Sequence, residues 1–232
     1  MIHPIIDAHA HLWLRQEGEV EGKKIRDLGN GKSDFMGEVR QMLPPFIIDG
    51  RNSAEIFLAN MDYAGVSAAV ITQEYIDGIQ NDYLWEVEKT YPNRFLCCGM
   101  VDARVPGYFA HASELINRGF KALKIPAQRL ITAQKQIRLT NDEMMKMFAL
   151  MEQKNIILSI DLADGDRQVA EMSEIISQFP SLKISIGHFG MVTRAGWQEQ
   201  IKLARHKEVM IESGGITWLF NEEFYPFSGA VW

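Results

Sequence analysis

The sequence predicts an α/β fold, a (β/α)8 TIM-like barrel, and three observations support this prediction. Short apolar runs alternate with amphipathic stretches of about 10–15 residues, which is the spacing of the βαβ units that build a parallel sheet. The alternation continues along a chain of 232 residues, close to the roughly 250 residues of a typical barrel. Histidine and carboxylate side chains lie at the ends of several apolar runs, and barrel enzymes carry their catalytic groups at the carboxyl ends of strands.

Seven apolar runs are predicted strands, because they are short and rich in β-branched or other apolar residues. They are residues 5–11, 66–73, 94–101, 120–125, 156–162, 182–188 and 209–214. After the seventh run the sequence continues as a loop-like stretch, residues 221–232. We therefore expect the eighth strand and helix of the barrel to be missing from this chain, with residues 228–232 as the beginning of a helix that is cut short.

Three of the amphipathic stretches have clear helix signals. Residues 53–63 carry apolar side chains at helical spacing, and Gly65 provides a stop. Asn141 can cap a second helix, which leads into the fifth strand. Residues 166–179 form a third helix that ends before Pro180.

Residues 1–232 are expected to form one barrel domain, C-terminally truncated, with one irregular segment. Residues 14–50 directly follow the first strand, are polar, and contain Pro44 and Pro45. A loop this long inside a compact domain is usually functional, so we interpret it as a lid-like insertion that supplies Arg40, and with it Arg15, as anion contacts. The alternative is a surface loop whose charged side chains are solvated and have no role in a site.

Composition limits the kinds of molecule that this protein is expected to bind. The formal net charge of −6, without a basic stripe, argues against nucleic acid, and no apolar stretch is long enough to span a membrane. The only two cysteines are adjacent, so a disulfide scaffold is not expected and a reducing compartment fits better. The N-terminus lacks the pattern of a signal peptide. We expect a soluble cytoplasmic protein that acts on a small molecule.

The chemistry centres on the first strand, where Asp7, His9 and His11 stand at alternate positions. Side chains two apart in a strand project from the same face, and two imidazoles held in that way can bind one cation. The alternative is a pair of buried, hydrogen-bonded histidines. His188 ends the sixth strand, where it could serve a site or be a core or capping residue. Three other histidines are interpreted as solvated or structural: His3, His111 and His206.

These motifs, taken in order, resemble the amidohydrolase-related family, the amidohydrolase 2 branch of the amidohydrolase superfamily. Its members are metal-dependent hydrolases and decarboxylases on a distorted TIM barrel. The matching sequences are IIDAHAHLW, NMDYAGVSAAVIT, YPNRFLCCGMVD, GFKALKI and FPSLKISIGHFG, which together span most of the chain.

The resemblance implies a role for each matching position. His9 and His11 match the metal ligands of the first strand, and His188 matches a histidine that binds metal or polarises the scissile carbonyl group. The fifth strand of relatives usually ends in a histidine, whereas this chain has Asp161 there. A carboxylate can bind zinc or manganese, so Asp161 is predicted as a fourth ligand and, with His188, as a catalytic residue. Asp161 could instead cap the following loop, and some lactonase-like relatives work without a tightly bound metal.

The predicted activity is hydrolysis of a small organic acid, lactone or related carbonyl compound by a metal-activated water, with zinc as the preferred ion and manganese as the alternative. Asp7 would orient a neighbouring group behind the ligands. Lys124, Arg40 and Glu74 are predicted to contact substrate, although more distant relatives carry a metal-bridging lysine near Lys124. The general base of the family lies on the eighth strand, so it is not assigned here.

Two other functions remain open on the sequence alone. The first is non-oxidative decarboxylation of an aromatic or unsaturated acid, which other members of the family perform. The second is a catalytically inactive barrel that binds a ligand. Dimerisation is common among relatives, so the resemblance also allows a homodimer.

Overall fold

The computed structural model describes residues 3–132 and 136–215, and these residues divide between two compact units. Unit 1 covers residues 1–100 and unit 2 covers residues 101–232. The expected helix at residues 228–232 lies outside the described residues.

Unit 1 contains a parallel sheet in which three strands alternate with two helices. Its elements in chain order are β1 (Ile5–His11), β2 (Glu19–Val20), β3 (Lys23–Lys24), β4 (Arg26–Gly29), β5 (Lys32–Phe35), β6 (Glu38–Gln41), α1 (Ala54–Ala64), β7 (Val66–Thr72), α2 (Asn81–Thr90) and β8 (Phe95–Met100). Strand β7 pairs in parallel with β1 on one side and with β8 on the other. The pairing places His11 opposite Thr72, so both strands end at the same edge of the sheet.

Unit 2 repeats this pattern with four parallel strands in its described residues. Its elements are α3 (Tyr108–Arg118), β9 (Ala122–Ile125), a 3-10 helix (Ala127–Leu130), α4 (Asp142–Gln153), β10 (Ile157–Ile160), α5 (Val169–Gln178), β11 (Ile184–Ile186), a 3-10 turn (His188–Gly190), α6 (Trp197–Lys202), a second 3-10 turn (Leu203–Arg205) and β12 (Val209–Ile211). Strand β10 lies between β9 and β11, and β11 pairs with β12. All seven predicted strands are therefore observed, with ends shifted by a few residues.

The insertion after β1 is more ordered than the predicted loop. It contains a two-stranded antiparallel ribbon, β2 and β3, and a three-stranded antiparallel sheet of β4, β5 and β6. These strands were not predicted because they are only two to four residues long and consist largely of charged residues, which strands disfavour. Whether the insertion acts as a lid stays a prediction.

Strands β8, β9 and β10 are mostly buried among apolar side chains. All four residues of β9 are buried, and Cys97 and Cys98 on β8 are completely buried. Neither cysteine forms a disulfide, in agreement with the sequence. Burial raises the pKa of the Cys97 thiol, and the nearby Glu88 carboxylate raises it further, so this thiol stays protonated at neutral pH.

No helix in the described ranges has the length and hydrophobicity that crossing a bilayer requires. The longest one, α4, has twelve residues.

The predicted cap of α4 is present in the structure. The Asn141 side chain accepts hydrogen bonds from the backbone N–H groups of Glu143 (3.1 Å) and Met144 (3.0 Å). At the start of α1, in contrast, Ser53 makes no capping hydrogen bond with its side chain. Gly65 ends α1 in the left-handed conformation that the sequence predicts.

We expect Asn141→Ala to lower the free energy of unfolding by about 1–2 kcal/mol, because two N–H groups of the first turn lose their partner. Urea denaturation measures the change. Ser53→Ala is the matched control and should have a clearly smaller effect. Equal effects of the two substitutions would contradict the assignment of Asn141 as the stronger cap.

Candidate functional site

In unit 1 the candidate site residues lie at the carboxyl ends of β1 and β7. His9 and His11 project together, with their Nε2 atoms 3.0 Å apart. The alternation of β1 is interrupted just before this point: Asp7 pairs with Ala69 and Ala10 with Ile71, so β1 has one extra residue between the two pairs. Such a bulge bends a strand and re-aims its side chains. The two histidines predicted to act together are therefore side by side.

A carboxylate that the sequence analysis did not identify holds one of these histidines. Asp77 follows β7, and its Oδ2 lies 2.6 Å from Nδ1 of His11. The Asp77 side chain is only 3% exposed, whereas that of His11 is 25% exposed. Asp7, predicted to orient a neighbouring group, accepts a hydrogen bond from the backbone N–H of His9 through Oδ1 at 3.0 Å.

These side chains line a cavity of about 320 Å³ within unit 1. Asp7, His9, His11 and Asp77 form its polar part. The remainder is mostly apolar, as in sites that bind small organic molecules. Its other lining residues are Ala10, Trp13, Gln16, Met42, Leu43, Asn52, Phe57 and Ile76.

In unit 2 a buried ion pair joins two neighbouring strands. Lys124 on β9 donates a hydrogen bond from Nζ to Oδ1 of Asp161, which directly follows β10, at 2.6 Å. Their side chains are 0% and 2% exposed. Parallel pairing produces this contact, because Ile125 and Ile160 are register partners and set the two polar residues at adjacent strand ends.

His188 stands next to this pair in a backbone conformation that is rare for residues other than glycine. His188, Phe189, Gly190 and Met191 all have positive φ angles. The His188 ring lies between Asp161 Oδ2, 3.6 Å from Nε2, and the Gly214 carbonyl oxygen, 2.9 Å from Nδ1. Left-handed conformations of ordinary residues carry strain and are frequent at functional sites.

Opposing effects act on the protonation of His188. Burial lowers its pKa, but the hydrogen bond and the negative charge of Asp161 raise it more, and the Gly214 carbonyl adds to this. The net result is a pKa above the ordinary value of 6.5. The Asp161 carboxylate therefore stabilises the protonated form of His188 in the metal-free protein.

Gly187 allows the carboxylates of unit 2 to approach its backbone. A Cβ atom at this position would lie 2.1 Å from Asp161 Oδ1 and 3.0 Å from Glu212 Oε1. Glu212, which follows β12, is 6% exposed. Glycine is thus required here for space, since its φ of −76° is ordinary for any residue.

The residues predicted to contact substrate lie in different surroundings. Arg40 on β6 is exposed, forms an ion pair with Glu38 at 2.7 Å and stacks over the Phe35 ring. Glu74 is buried next to Asp77, and its backbone N–H donates to Asp77 Oδ2 at 3.1 Å. Lys124 is engaged with Asp161, as described above.

The insertion also carries a larger, charged cavity of about 820 Å³ in unit 1. Arg15, the second arginine proposed as an anion contact, lines it. The other charged residues of its lining are Glu17, Lys24, Arg26, Asp27, Asp49 and Arg51.

Comparison with known proteins identifies the class of protein. The Amidohydrolase family model matches residues 6–231, so this chain belongs to that family. The result confirms the resemblance seen in the sequence and the assignment of the chain as an enzyme of the amidohydrolase superfamily. A comparison with curated proteins gave no significant match.

Solved structures share the fold at low sequence identity. A probable 2-pyrone-4,6-dicarboxylic acid hydrolase from Acinetobacter baumannii, with citric acid bound, is 17% identical, with a TM-score of 0.65 over 94% of this chain and 72% of that chain. A zinc-bound amidohydrolase from Burkholderia multivorans is 14% identical, with a TM-score of 0.62 over 97% and 75%. The 2,6-dihydroxybenzoate decarboxylase from Rhizobium is 13% identical, with a TM-score of 0.55 over 75% and 73%. The predicted α/β, TIM-barrel-like fold class is confirmed.

We expect Lys124→Met to lower the free energy of unfolding by about 3–5 kcal/mol, because it leaves the Asp161 carboxylate buried without its cation. Lys121→Met, an exposed lysine beside the same strand, is the matched control and should change stability little. The double variant with Asp161→Asn should recover part of the loss in urea denaturation. No difference between the two single variants would contradict the importance of the pair.

We also expect His188 in metal-free protein to titrate above pH 6.5, because its protonated form interacts with Asp161. A raised folded-state pKa stabilises the fold below the unfolded-state value, and this contribution is lost as the pH rises through the folded-state value. An NMR titration of the imidazole measures the midpoint, and Asp161→Asn should lower it. A wild-type midpoint at or below 6.5 would contradict this expectation.

Proposed function

We propose that this protein is a metal-dependent hydrolase of a small organic acid, lactone or related carbonyl compound, with zinc as its preferred ion. The observation that carries the proposal is the pair of imidazole Nε2 atoms of His9 and His11, 3.0 Å apart beside a cavity in unit 1. Hydrogen bonding of His11 to Asp77 adds support, since histidine ligands of metals usually donate their other ring N–H to a carboxylate or carbonyl group.

The donor set fits a divalent ion. Two nitrogens bound to one tetrahedral zinc ion at roughly 2.0–2.1 Å lie about 3.3–3.4 Å apart, so an N···N separation of 3.0 Å requires only a small adjustment. Imidazole suits zinc, and a carboxylate ligand is compatible with both zinc and manganese. The sequence-based assignment adds Asp161 and His188 to the ligand set, and it remains a prediction that the variants below test.

A divalent ion would supply Lewis acidity: it lowers the pKa of water toward neutrality and polarises a carbonyl oxygen. The protein residues would do the rest. His188 would either bind the ion or donate a hydrogen bond to the oxygen on which negative charge develops, and the metal content of His188→Asn separates these two roles. Lys124 would hold Asp161 in place rather than contact substrate, because its Nζ is buried and bound to that carboxylate.

The cavity and the similar structures support the proposed substrate class. A volume of about 320 Å³ with mostly apolar walls and a few convergent polar groups suits a small organic molecule. The Acinetobacter baumannii relative is described as a hydrolase of a cyclic dicarboxylic acid, which makes lactones with carboxylate substituents the first compounds to test. The neighbour that decarboxylates 2,6-dihydroxybenzoate makes carbon dioxide release the main alternative.

We expect purified protein to contain about one divalent ion per chain by plasma mass spectrometry, and His9→Ala/His11→Ala to lose it. His3→Ala/His206→Ala, which removes two exposed histidines, is the matched control and should retain the ion. Asp161→Asn and His188→Asn, measured in the same way, test the two further ligands. Unchanged metal content in all variants would refute the assigned site.

A substrate screen separates the functions. Lactones and hydroxybenzoates are supplied to the metal-loaded protein while base consumption and carbon dioxide release are recorded together. Base consumption without carbon dioxide supports a hydrolase, whereas carbon dioxide release supports a decarboxylase. Ligand binding without turnover of any compound would favour the catalytically inactive barrel.

A further inference from the structure

The contact between Asp77 and His11 joins residues 66 positions apart in the chain, and it determines more than the orientation of a ring. The Oδ2···Nδ1 distance is 2.6 Å, short for a hydrogen bond between a carboxylate and an imidazole. The Asp77 side chain is 3% exposed, so water does not compete for this contact. Asp77 is thus a buried group in direct contact with one of the two histidines of the first strand.

The Asp77 carboxylate is held by its own loop. Its Oδ2 accepts a hydrogen bond from the backbone N–H of Glu74 at 3.1 Å. The Asp77 backbone N–H donates in turn to the Glu74 carbonyl oxygen at 2.9 Å, and the Gln80 amide donates to the Asp77 carbonyl oxygen at 3.0 Å. Gly78 completes the turn with a φ of +76°, a conformation that favours glycine. The carboxylate is therefore positioned before any ligand binds.

We propose that Asp77 is a positioning residue that fixes His11 in the tautomer with its proton on Nδ1. An ionised carboxylate only accepts hydrogen bonds, so Nδ1 carries the proton, and in the neutral imidazole Nε2 then presents its lone pair. That lone pair points to the side where Nε2 of His9 lies at 3.0 Å. The tautomer of His11 is a property of the metal-free protein. That this tautomer favours metal binding rests on the proposed function.

The contact with His11 also fixes the proton of His9. A 3.0 Å contact between the Nε2 atoms of two neutral imidazoles needs a proton on one of them, and His11 keeps its proton on Nδ1. In the metal-free protein His9 therefore donates its Nε2–H to His11. Before Nε2 of His9 can bind a cation, its proton must move to Nδ1 of the same ring through solvent, whereas His11 is already in the form that binds a cation.

Two-dimensional 1H–15N NMR of the imidazole rings tests the proposal on metal-free protein. We expect wild-type His11 to be protonated on Nδ1 and His9 on Nε2. Asp77→Ala removes the acceptor that faces Nδ1, so His11 should lose its preference for the Nδ1-protonated form. Asp27→Ala is the matched control: this aspartate, also in unit 1, accepts a backbone hydrogen bond from Gly29, and its loss should leave both rings unchanged.

Zinc affinity, measured by competition with a chelating dye, provides the second readout. Asp77→Ala should weaken zinc binding by roughly 10–100-fold, the range typical for loss of a carboxylate behind a histidine ligand. Asp27→Ala should leave the affinity unchanged.

The outcomes separate this proposal from the proposed function. If wild-type His11 carries its proton on Nε2 or carries protons on both nitrogens, or if Asp77→Ala folds and changes neither tautomer nor affinity, the assignment of Asp77 is wrong. If the tautomers are as expected but the wild-type protein does not bind zinc, Asp77 still fixes His11 and the metal-dependent function fails. The wild-type spectrum is decisive even if the variant does not fold.

Discussion

Parallel strand pairing is the constraint on which both groups of candidate residues depend. In unit 1 it sets His11 opposite Thr72, so the loop that carries Asp77 begins beside the histidines. In unit 2 the partners of Ile160 are Ile125 on one side and Ile186 on the other, so three strands end level. Polar residues just beyond those strand ends become neighbours although they are far apart in the chain.

Buried charged side chains are tolerated at these strand ends because each of the two discussed here has a partner, either an opposite charge or hydrogen-bond donors. Lys124 would be unfavourable at 0% exposure without the Asp161 carboxylate, and Asp77 would be unfavourable without the imidazole and N–H groups that surround it. Removing one member of such a pair leaves the other with its desolvation penalty. The buried charged residues proposed to act in the site are therefore also residues on which local stability depends.

Local signals in the sequence were sufficient to predict the seven parallel strands, the helix cap at Asn141 and the proximity of His9 and His11. Asp77 could not be found in this way, because its contact with His11 depends on tertiary structure and the local sequence Asp-Gly is typical of an ordinary turn. The bulge in β1 contains no glycine, and three of the four residues in the left-handed turn after β11 are not glycine, so neither feature has a clear sequence signal. One sequence feature could have suggested Asp77. It is a carboxylate residue a few positions after β7, the strand that pairs with the histidine-bearing strand β1.

The burial of Cys97 and Cys98 has a practical consequence for spectroscopy. Neither thiol is accessible, and the Cys97 thiol remains protonated at neutral pH, so both are poor targets for alkylating reagents. Tyr63 on α1 is 96% exposed, and a cysteine in its place would be the reactive thiol of the described residues. A single fluorophore or spin label can therefore be attached to unit 1 while both native cysteines stay in the core.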